Sequence, residues 1–384
     1  MHILILPSGY PTKEEPLRSI FFKEQALALK DGGHKVGVIY SETRRITNIN
    51  YKNLKRNHFQ ITFNDEEGVN TVRLHGWNIL MMRNFLGVNL WVKQTLSLYE
   101  KYVKIYGKPD IIHVHCGLYG GLAAKVIKDK YSIPYVITEH SSTILNNSLN
   151  DYNKQVLTVA YNSANKLISV GEKLKSSMKN YTNNDIVVIP NIVNTDGFKV
   201  DKEHKREKFR FVTVAYLKKN KRIDLVIEAF NKIKEKYKNI ELYIGGDGPE
   251  KINIQQMIDK YNLKDDVHLL GEVLREDLPA VMGNSDCFVL PSMYETFGVV
   301  YIEALACGVP IIATKCGGPE DFFNENLGYM INVEKLNELY DAMEKIINNN
   351  SKFNSNEISE YIKNRFSRKV IVKELEEVYN LIYK

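Results

Sequence analysis

Residues Asp286–Cys316 read DCFVLPSMYETFGVVYIEALACGVPIIATKC. DCFVLP is a short apolar run without polar alternation. A polar loop follows, then the helical pattern of VVYIEALACG, then a second apolar run, PIIATKC. Continuous apolar runs separated by a helix are parallel strands buried on both faces. The loop carries Glu295, and the helix is predicted to start near Phe297. The first N–H groups of a helix lack intrahelical partners and carry partial positive charge, which together bind phosphate. Glu303 follows Glu295 by eight residues. An ionised carboxylate only accepts hydrogen bonds, so it suits hydroxyls. Glu295 is expected to meet those of a sugar and Glu303 those of a ribose. The amides around Phe297, Gly298 and Val299 would then lie on sugar and pyrophosphate. Two glutamates eight apart also occur on any solvated helix, so the pair alone does not decide function.

The strand–turn–helix pattern extends outward in both directions. FRFVTVAYL, NIELYIGG and DDVHLLG are further strands before the opening stretch, with RIDLVIEAFNKIKEKY a helix among them. The first half repeats the pattern with HILIL, KVGVIY, DIIHVH, PYVIT, KLISV and IVVIPN. SIFFKEQALALKDGGH is a helix that Gly32-Gly33 ends. The fold class expected is α/β, two Rossmann-like, doubly wound parallel-sheet domains facing across a cleft. The domain bounds read as 1–195 and 196–365, with a hinge in the polar stretch near Asn191 to Lys208. Residues 366–384 form a helix expected to pack back on the first domain.

Bulk properties narrow the class. A chain of 384 residues suits two domains, and no apolar run reaches the length of a membrane span. The start lacks a basic n-region and a cleavage site, so it reads as a buried strand. Cys116, Cys287, Cys307 and Cys316 form no CxxC pair and no zinc spacing, which suits a reducing cytoplasm. Residues 1–195 carry 24 basic and 15 acidic side chains, and the remainder carries 28 and 31. The basic first half suits an anionic partner such as lipid headgroups or a lipid-linked phosphate. An abundance of lysine in the composition explains it equally well.

The 286–316 segment closely resembles the Glu-x7-Glu signature of glycosyltransferase family 4. Other stretches do so in order: DIIHVHCGLYGGLAA, PYVITEH, VVIPNIVNTDGF, VAYLKKNKRIDLVIEAF, GGDGPE and VHLLGEVLREDLPAVMGNSDCFVLPS. The resemblance implies the GT-B fold and a retaining transferase that uses a nucleotide-sugar donor. It implies that Lys221 contacts the donor diphosphate and that His140 lies beside the transferred sugar. The family's Gly-Arg before that lysine is Ala215-Tyr216 here. The guanidinium that often neutralises the diphosphate is therefore missing at Tyr216, with Lys218, Lys219 and Arg222 as candidate substitutes. Glu139, Ser141 and Ser142 would orient His140 or bind acceptor.

The first loop, PSGYPTKEEPLRS, matches a glycine-containing loop of the family, and the resemblance implies that Gly9 lies on the donor-phosphate and acceptor side. Gly9 permits a positive φ and close backbone approach. His113 and His115 alternate along a strand and so share a face. They read as a buried satisfied pair, with metal ligation the other option. The stretch Gly76–Gln94 is either an interfacial surface or a core helix with its lead-in loop, and LKSSMKNY (174–181) is similarly ambiguous. The chain contains no Asp-x-Asp, so no metal and no cofactor are expected. The expected partners are a nucleotide-sugar donor, a sugar or lipid-linked sugar acceptor and an anionic membrane surface, with no nucleic acid. Three other readings stay open: a nucleotide-sugar epimerase, an inverting transferase with His140 or Glu139 as base, and a non-catalytic sugar-nucleotide-binding protein.

Overall fold

The computed structural model describes residues 1–12, 15, 16, 18–44, 58–77, 84–200 and 207–383. The chain forms two compact units, Met1–Ile192 with Arg368–Lys384, and Val193–Ser367. The chain passes between the units at residues 192/193 and again at 367/368.

The strands of the first unit are β1 His2–Pro7, β2 Lys35–Arg44, β3 Gln60–Glu66, β4 Val69–Trp77, β5 Ile111–His115, β6 Tyr135–Glu139, β7 Lys166–Ser169 and β8 Ile186–Val188. They form one sheet in the order β3-β4-β2-β1-β5-β6-β7-β8. Every residue of β1, β5 and β6 is buried, as their unbroken apolar runs require. The sheet is parallel from β4 to β8. At its other edge the wholly parallel expectation fails, because β3 pairs antiparallel with β4. A two-residue turn joins them, with Glu67 at φ 59° and Gly68 at φ 86°. Both central residues at positive φ make a turn whose twist matches an antiparallel ribbon.

The helix Ile20–Asp31 ends as its glycines predict. The Gly33 amide, at φ 88°, donates to Lys30 and the His34 amide donates back to Leu29. The helix Arg368–Ile382 buries Ile371, Val372, Leu375, Val378 and Tyr379 in one core with Phe22, Leu29 and Val36 of this unit. Each such side chain contributes about 1.5–3 kcal/mol by leaving water.

The strands of the second unit are β9 Phe209–Val214, β10 Ile240–Gly245, β11 Val267–Gly271, β12 Cys287–Leu290, β13 Ile311–Thr314 and β14 Gly328–Ile331. All pairings are parallel, in the order β11-β10-β9-β12-β13-β14. The chain winds from β9 towards one edge and from β12 towards the other. The switch point of this sheet therefore lies between β9 and β12, where such folds bind ligands beyond the strands' carboxyl ends.

Part of the Gly76–Gln94 stretch, residues 78–83, lies outside the described residues, as do 13, 14 and 17 of the first loop and 201–206 of the hinge. In the helix Asn84–Tyr106 that follows, Val88 and Trp91 are buried while Phe85 and Leu86 are exposed. Leu174 and Met178 are fully buried, so the 174–181 stretch turns a core face inward. No helix of the described residues is long and apolar enough to cross a membrane.

Candidate active site

Lys221 and Glu295 come from the two sides of the switch point. Lys221 ends a short 3-10 turn after β9, and Glu295 lies in the loop after β12. Their side chains meet. Lys221 Nζ donates to Glu295 Oε1 at 2.6 Å, and Ser292 Oγ donates to the same oxygen at 2.8 Å. Both ions are largely shielded from solvent, with side-chain exposures of 20% and 14%. The expectation gave the lysine to a diphosphate and the glutamate to a sugar. The structure brings them together as one pair. Each has a coordinate that a ligand must share or displace.

The loop that carries Glu295 is stitched to its neighbours by backbone. Met293 N–H donates to Asn220 in the turn before Lys221, and Glu295 N–H donates to Cys316. Gly318 lies directly against Phe297. A Cβ at position 318 would sit 2.4 Å from the Phe297 carbonyl oxygen, so only glycine fits. The helix expected near Phe297 starts at Val299, with Gly298 as its N-cap at φ 90°. Among the described residues, no hydrogen bond is made by the amides of Phe297, Gly298, Val299 or Val300. This is the unpaired helix start that favours an anion.

The side chains of Phe297 and Glu303 are buried. The Phe297 ring is buried against Phe322 and Phe366, at centroid distances of 5.9 and 5.5 Å. Glu303 is buried and accepts a hydrogen bond from Arg275 Nη1. The Arg275 guanidinium lies 5.3 Å from the Phe198 ring. Tyr216 is exposed, and the Lys218 ammonium lies 4.9 Å over its ring. Arg222, a candidate substitute for the missing guanidinium, is held by Asp224 and Glu334.

In the first unit, Gly9 is packed against Ser19 rather than bent into positive φ. A Cβ at position 9 would meet Ser19 Oγ at 2.7 Å. Gly9 is absent from the positive-φ residues, and Ser19, at φ 52°, takes that conformation at the N-cap of the next helix. Arg73 also ties the loop down: it donates to the Pro11 carbonyl at 2.8 Å and stacks on the Tyr10 ring.

His140 follows β6, with Nε2 3.0 Å from Nδ1 of His115. Its ring packs edge-on against Phe22. Burial pushes its pKa down to about 3, and His113 adds to the lowering while Asn191 opposes it. His140 is therefore neutral at physiological pH. Glu139 points the other way, fully buried, and all its bonds are internal. One carboxylate oxygen accepts from the amides of His140 and Ser141 at 2.9 and 3.0 Å. The other accepts from the Gly117 amide at 2.9 Å and the Tyr161 hydroxyl at 2.7 Å. Gly117 is the first residue of the helix Gly117–Tyr131, so Glu139 caps that helix from a neighbouring strand.

A family model described as Glycosyltransferase Family 4 matches residues 19–196, and one described as Glycosyl transferases group 1 matches residues 194–365. The chain belongs to glycosyltransferase family 4. This family-4 chain is 31% identical over 224 residues to the phosphatidylinositol N-acetylglucosaminyltransferase GPI3 subunit of Saccharomyces cerevisiae, covering 56% of this chain and 49% of that protein. It thus spans about half the length of that relative. It is 26% identical over 363 residues to the putative teichuronic acid biosynthesis glycosyltransferase TuaC of Bacillus subtilis, covering 89% and 88%. Among solved structures, sucrose-phosphate synthase from Thermosynechococcus elongatus matches with a TM-score of 0.81 at 18% identity, covering 100% and 99%. HepE from Anabaena, solved with UDP and glucose, matches at 0.74 and 18% identity, covering 98% and 99%. These likenesses show the fold, GT-B with two Rossmann-like units.

Arg275 and Ser292 were not singled out as site residues by the sequence, and His115 was read only as one of a buried pair with metal ligation the other option. Arg275 lies in a stretch that resembles the family, but nothing there ties it to a glutamate 28 residues on. Ser292 ends the apolar β12 run, where a polar side chain leaving a buried strand was the available signal.

Proposed function

We propose that this family-4 chain transfers a sugar from a nucleoside diphosphate to a hydroxyl acceptor, with retention at C1. The observation that carries the reading is the Lys221–Glu295 pair beside the unpaired amides of 297–300, at the switch point of the second sheet. Departure of a nucleoside diphosphate builds negative charge on its oxygens. Lys221 and those amides are donors already in place to oppose that charge. Glu295 holds the lysine until the donor arrives and then turns its oxygens to the sugar hydroxyls. Glu303 takes the ribose hydroxyls, sharing its carboxylate with Arg275. HepE and TarM, relatives in fold, were solved with UDP, which supports a uridine donor as the first to try.

Retention is supported by the state of the two bases that the sequence offers, Glu139 and His140, among the described residues of the first unit. An inverting transfer needs a general base against the acceptor hydroxyl. Both oxygens of Glu139 are committed to four internal donors, and His140 is already bonded through Nε2. The acceptor proton therefore passes to the departing phosphate, on the same face of the sugar. His140 orients the sugar rather than taking a proton. With no Asp-x-Asp in the chain, the diphosphate charge rests on protein donors, and a divalent cation is not required.

The acceptor is a sugar or lipid-linked sugar in surface-polysaccharide or glycolipid synthesis at the cytoplasmic face of a membrane, reached through the basic first unit. TuaC supports that biology. The test is a nucleotide-sugar panel read by thermal shift, then turnover with soluble and lipid-linked acceptors, with the product's anomeric configuration read by NMR. The reading expects one donor to stabilise the protein, transfer in the presence of EDTA, and a product anomer matching the donor. An inverted anomer, or turnover of the donor to a new nucleotide-sugar without acceptor, would replace it.

A further inference from the structure

Glu295 meets both of its internal donors on one oxygen. Lys221 Nζ and Ser292 Oγ reach Oε1, at 2.6 and 2.8 Å. Among the described residues no hydrogen bond reaches Oε2, which is not a buried atom. The carboxylate therefore has a held side and an open side. An ionised carboxylate is acceptor-only at both oxygens, so the open side suits the hydroxyl donors of a ligand.

The two donors on the held side differ in kind. Lys221 carries its charge on a flexible stem, and an arriving diphosphate competes for it with the carboxylate. Ser292 is fully buried and cannot follow a ligand. Its backbone is tied on both sides. The Ser292 carbonyl accepts from Thr314 Oγ1, on the neighbouring β13, at 2.5 Å, and Thr314 is fully buried as well. The next amide, Met293 N–H, donates to Asn220 at 2.8 Å. Asn220 precedes Lys221 in the 3-10 turn, so the turn that carries the lysine also anchors the serine. Once a diphosphate draws Lys221 away, Ser292 is the donor left on Oε1. A glutamate released at both oxygens would have to be ordered again by the sugar, at a cost in affinity.

We propose that Ser292 is a positioning residue for the donor sugar: by holding Glu295 Oε1 after Lys221 has moved to the diphosphate, it aims Oε2 at a hydroxyl of the transferred unit. The inference rests on the donor site proposed above. It divides the work of the cluster, with the lysine reading phosphate and the serine and glutamate together reading sugar.

The test is calorimetric titration of the full chain with UDP and with UDP-glucose, UDP-N-acetylglucosamine or UDP-galactose, whichever binds the wild type most tightly. Ser292→Ala should raise the ratio of the UDP-sugar Kd to the UDP Kd about tenfold, as the loss of one aligned hydrogen bond does. The UDP Kd should stay within about threefold of the wild type, because the serine does not touch the diphosphate donors. Glu295→Ala should raise the ratio at least as much. In that background Ser292→Ala should change it less than about twofold, since no carboxylate is left to hold. Ser292→Cys nearly keeps the volume but donates weakly, and it should match the alanine variant and stand in for it if alanine does not fold. An unchanged ratio overturns the proposal. So do equal losses of UDP and UDP-sugar, which mark a merely structural serine, and a full further loss on top of Glu295→Ala. In each of these the wild type still binds UDP-sugar, and only the role of Ser292 falls. If the wild type binds none of the three, the uridine donor falls and this inference with it.

Discussion

Replacing Glu139 by glutamine tests the wiring of the first unit at one atom. The carboxylate accepts four hydrogen bonds from wholly buried surroundings, three of them from backbone amides. In Glu139→Gln the carbonyl oxygen keeps the amides of His140 and Ser141, but those bonds lose their charge and about half their strength. The new amide group faces the Gly117 N–H donor to donor, leaving a buried group unpaired at a cost of about 1–3 kcal/mol. Tyr161 can rotate its hydroxyl and accept. The sum is about 3 kcal/mol, and in a unit of this size that lowers its melting temperature by about 6–12 °C. Calorimetry of wild type, Glu139→Gln, Tyr161→Phe and the double variant would measure it, with a coupling of about 1 kcal/mol between the two residues. A shift under about 2 °C, with no coupling, would refute the capping role. Below its melting point the glutamine variant should retain turnover. A loss of about 100-fold or more in a fully folded variant would instead make Glu139 a general base.

Gly318→Ala should destabilise the second unit by about 2–3 kcal/mol in urea unfolding, because its Cβ overlaps the Phe297 carbonyl, and should abolish the thermal shift given by the donor. Glu303→Gln should weaken a nucleoside diphosphate about tenfold in calorimetric titration, while the 2′,3′-dideoxy analogue, which has no hydroxyls to lose, should bind both proteins alike. Acid should act on the first unit through its histidines. Burial holds His113 and His140 at a pKa of about 3, and holds His115 well below its ordinary value. The unfolded chain therefore binds more protons than the folded one from roughly pH 6.5 downward, and stability falls with pH across that window. Three such groups together remove about 3–4 kcal/mol between pH 7 and 5.5. Chemical unfolding at both values checks this, and His113→Gln should remove about a third of the slope.

The order of strands and helices was legible because buried parallel strands leave unbroken apolar runs. The segment 286–316 shows it: β12, the loop with Glu295, the helix Val299–Ala306 and β13 follow one another as written. The β3–β4 ribbon was not read, since β3 is largely exposed and carries no apolar run. Its one signal was Glu67-Gly68, an acidic residue and a glycine between two alternating stretches. The site was legible as a place but not as a set of pairs. Lys221 and Glu295 are 74 residues apart, and their separation tells nothing of whether they salt-bridge each other or a ligand. Glu139 was read only in part for a related reason: it holds the His140 amide as one of its options had it, but its other oxygen binds the Gly117 amide and the Tyr161 hydroxyl. At the end of a strand, one residue's difference in direction decides whether a carboxylate faces a substrate or caps a helix of its own unit.

The double passage between the units bears on how the protein is made. On the ribosome, residues 1–192 are complete long before the helix Arg368–Ile382 exists. At a synthesis rate of about 5–20 residues per second, that interval lasts about 10–40 s. Through it, the nascent first unit shows solvent the apolar patch around Phe22, Leu29 and Val36 that the helix later covers. The second unit, continuous in the chain, can fold on emergence. The birth order is thus the reverse of the folding order, and the unit begun first waits uncovered, a natural client for a chaperone.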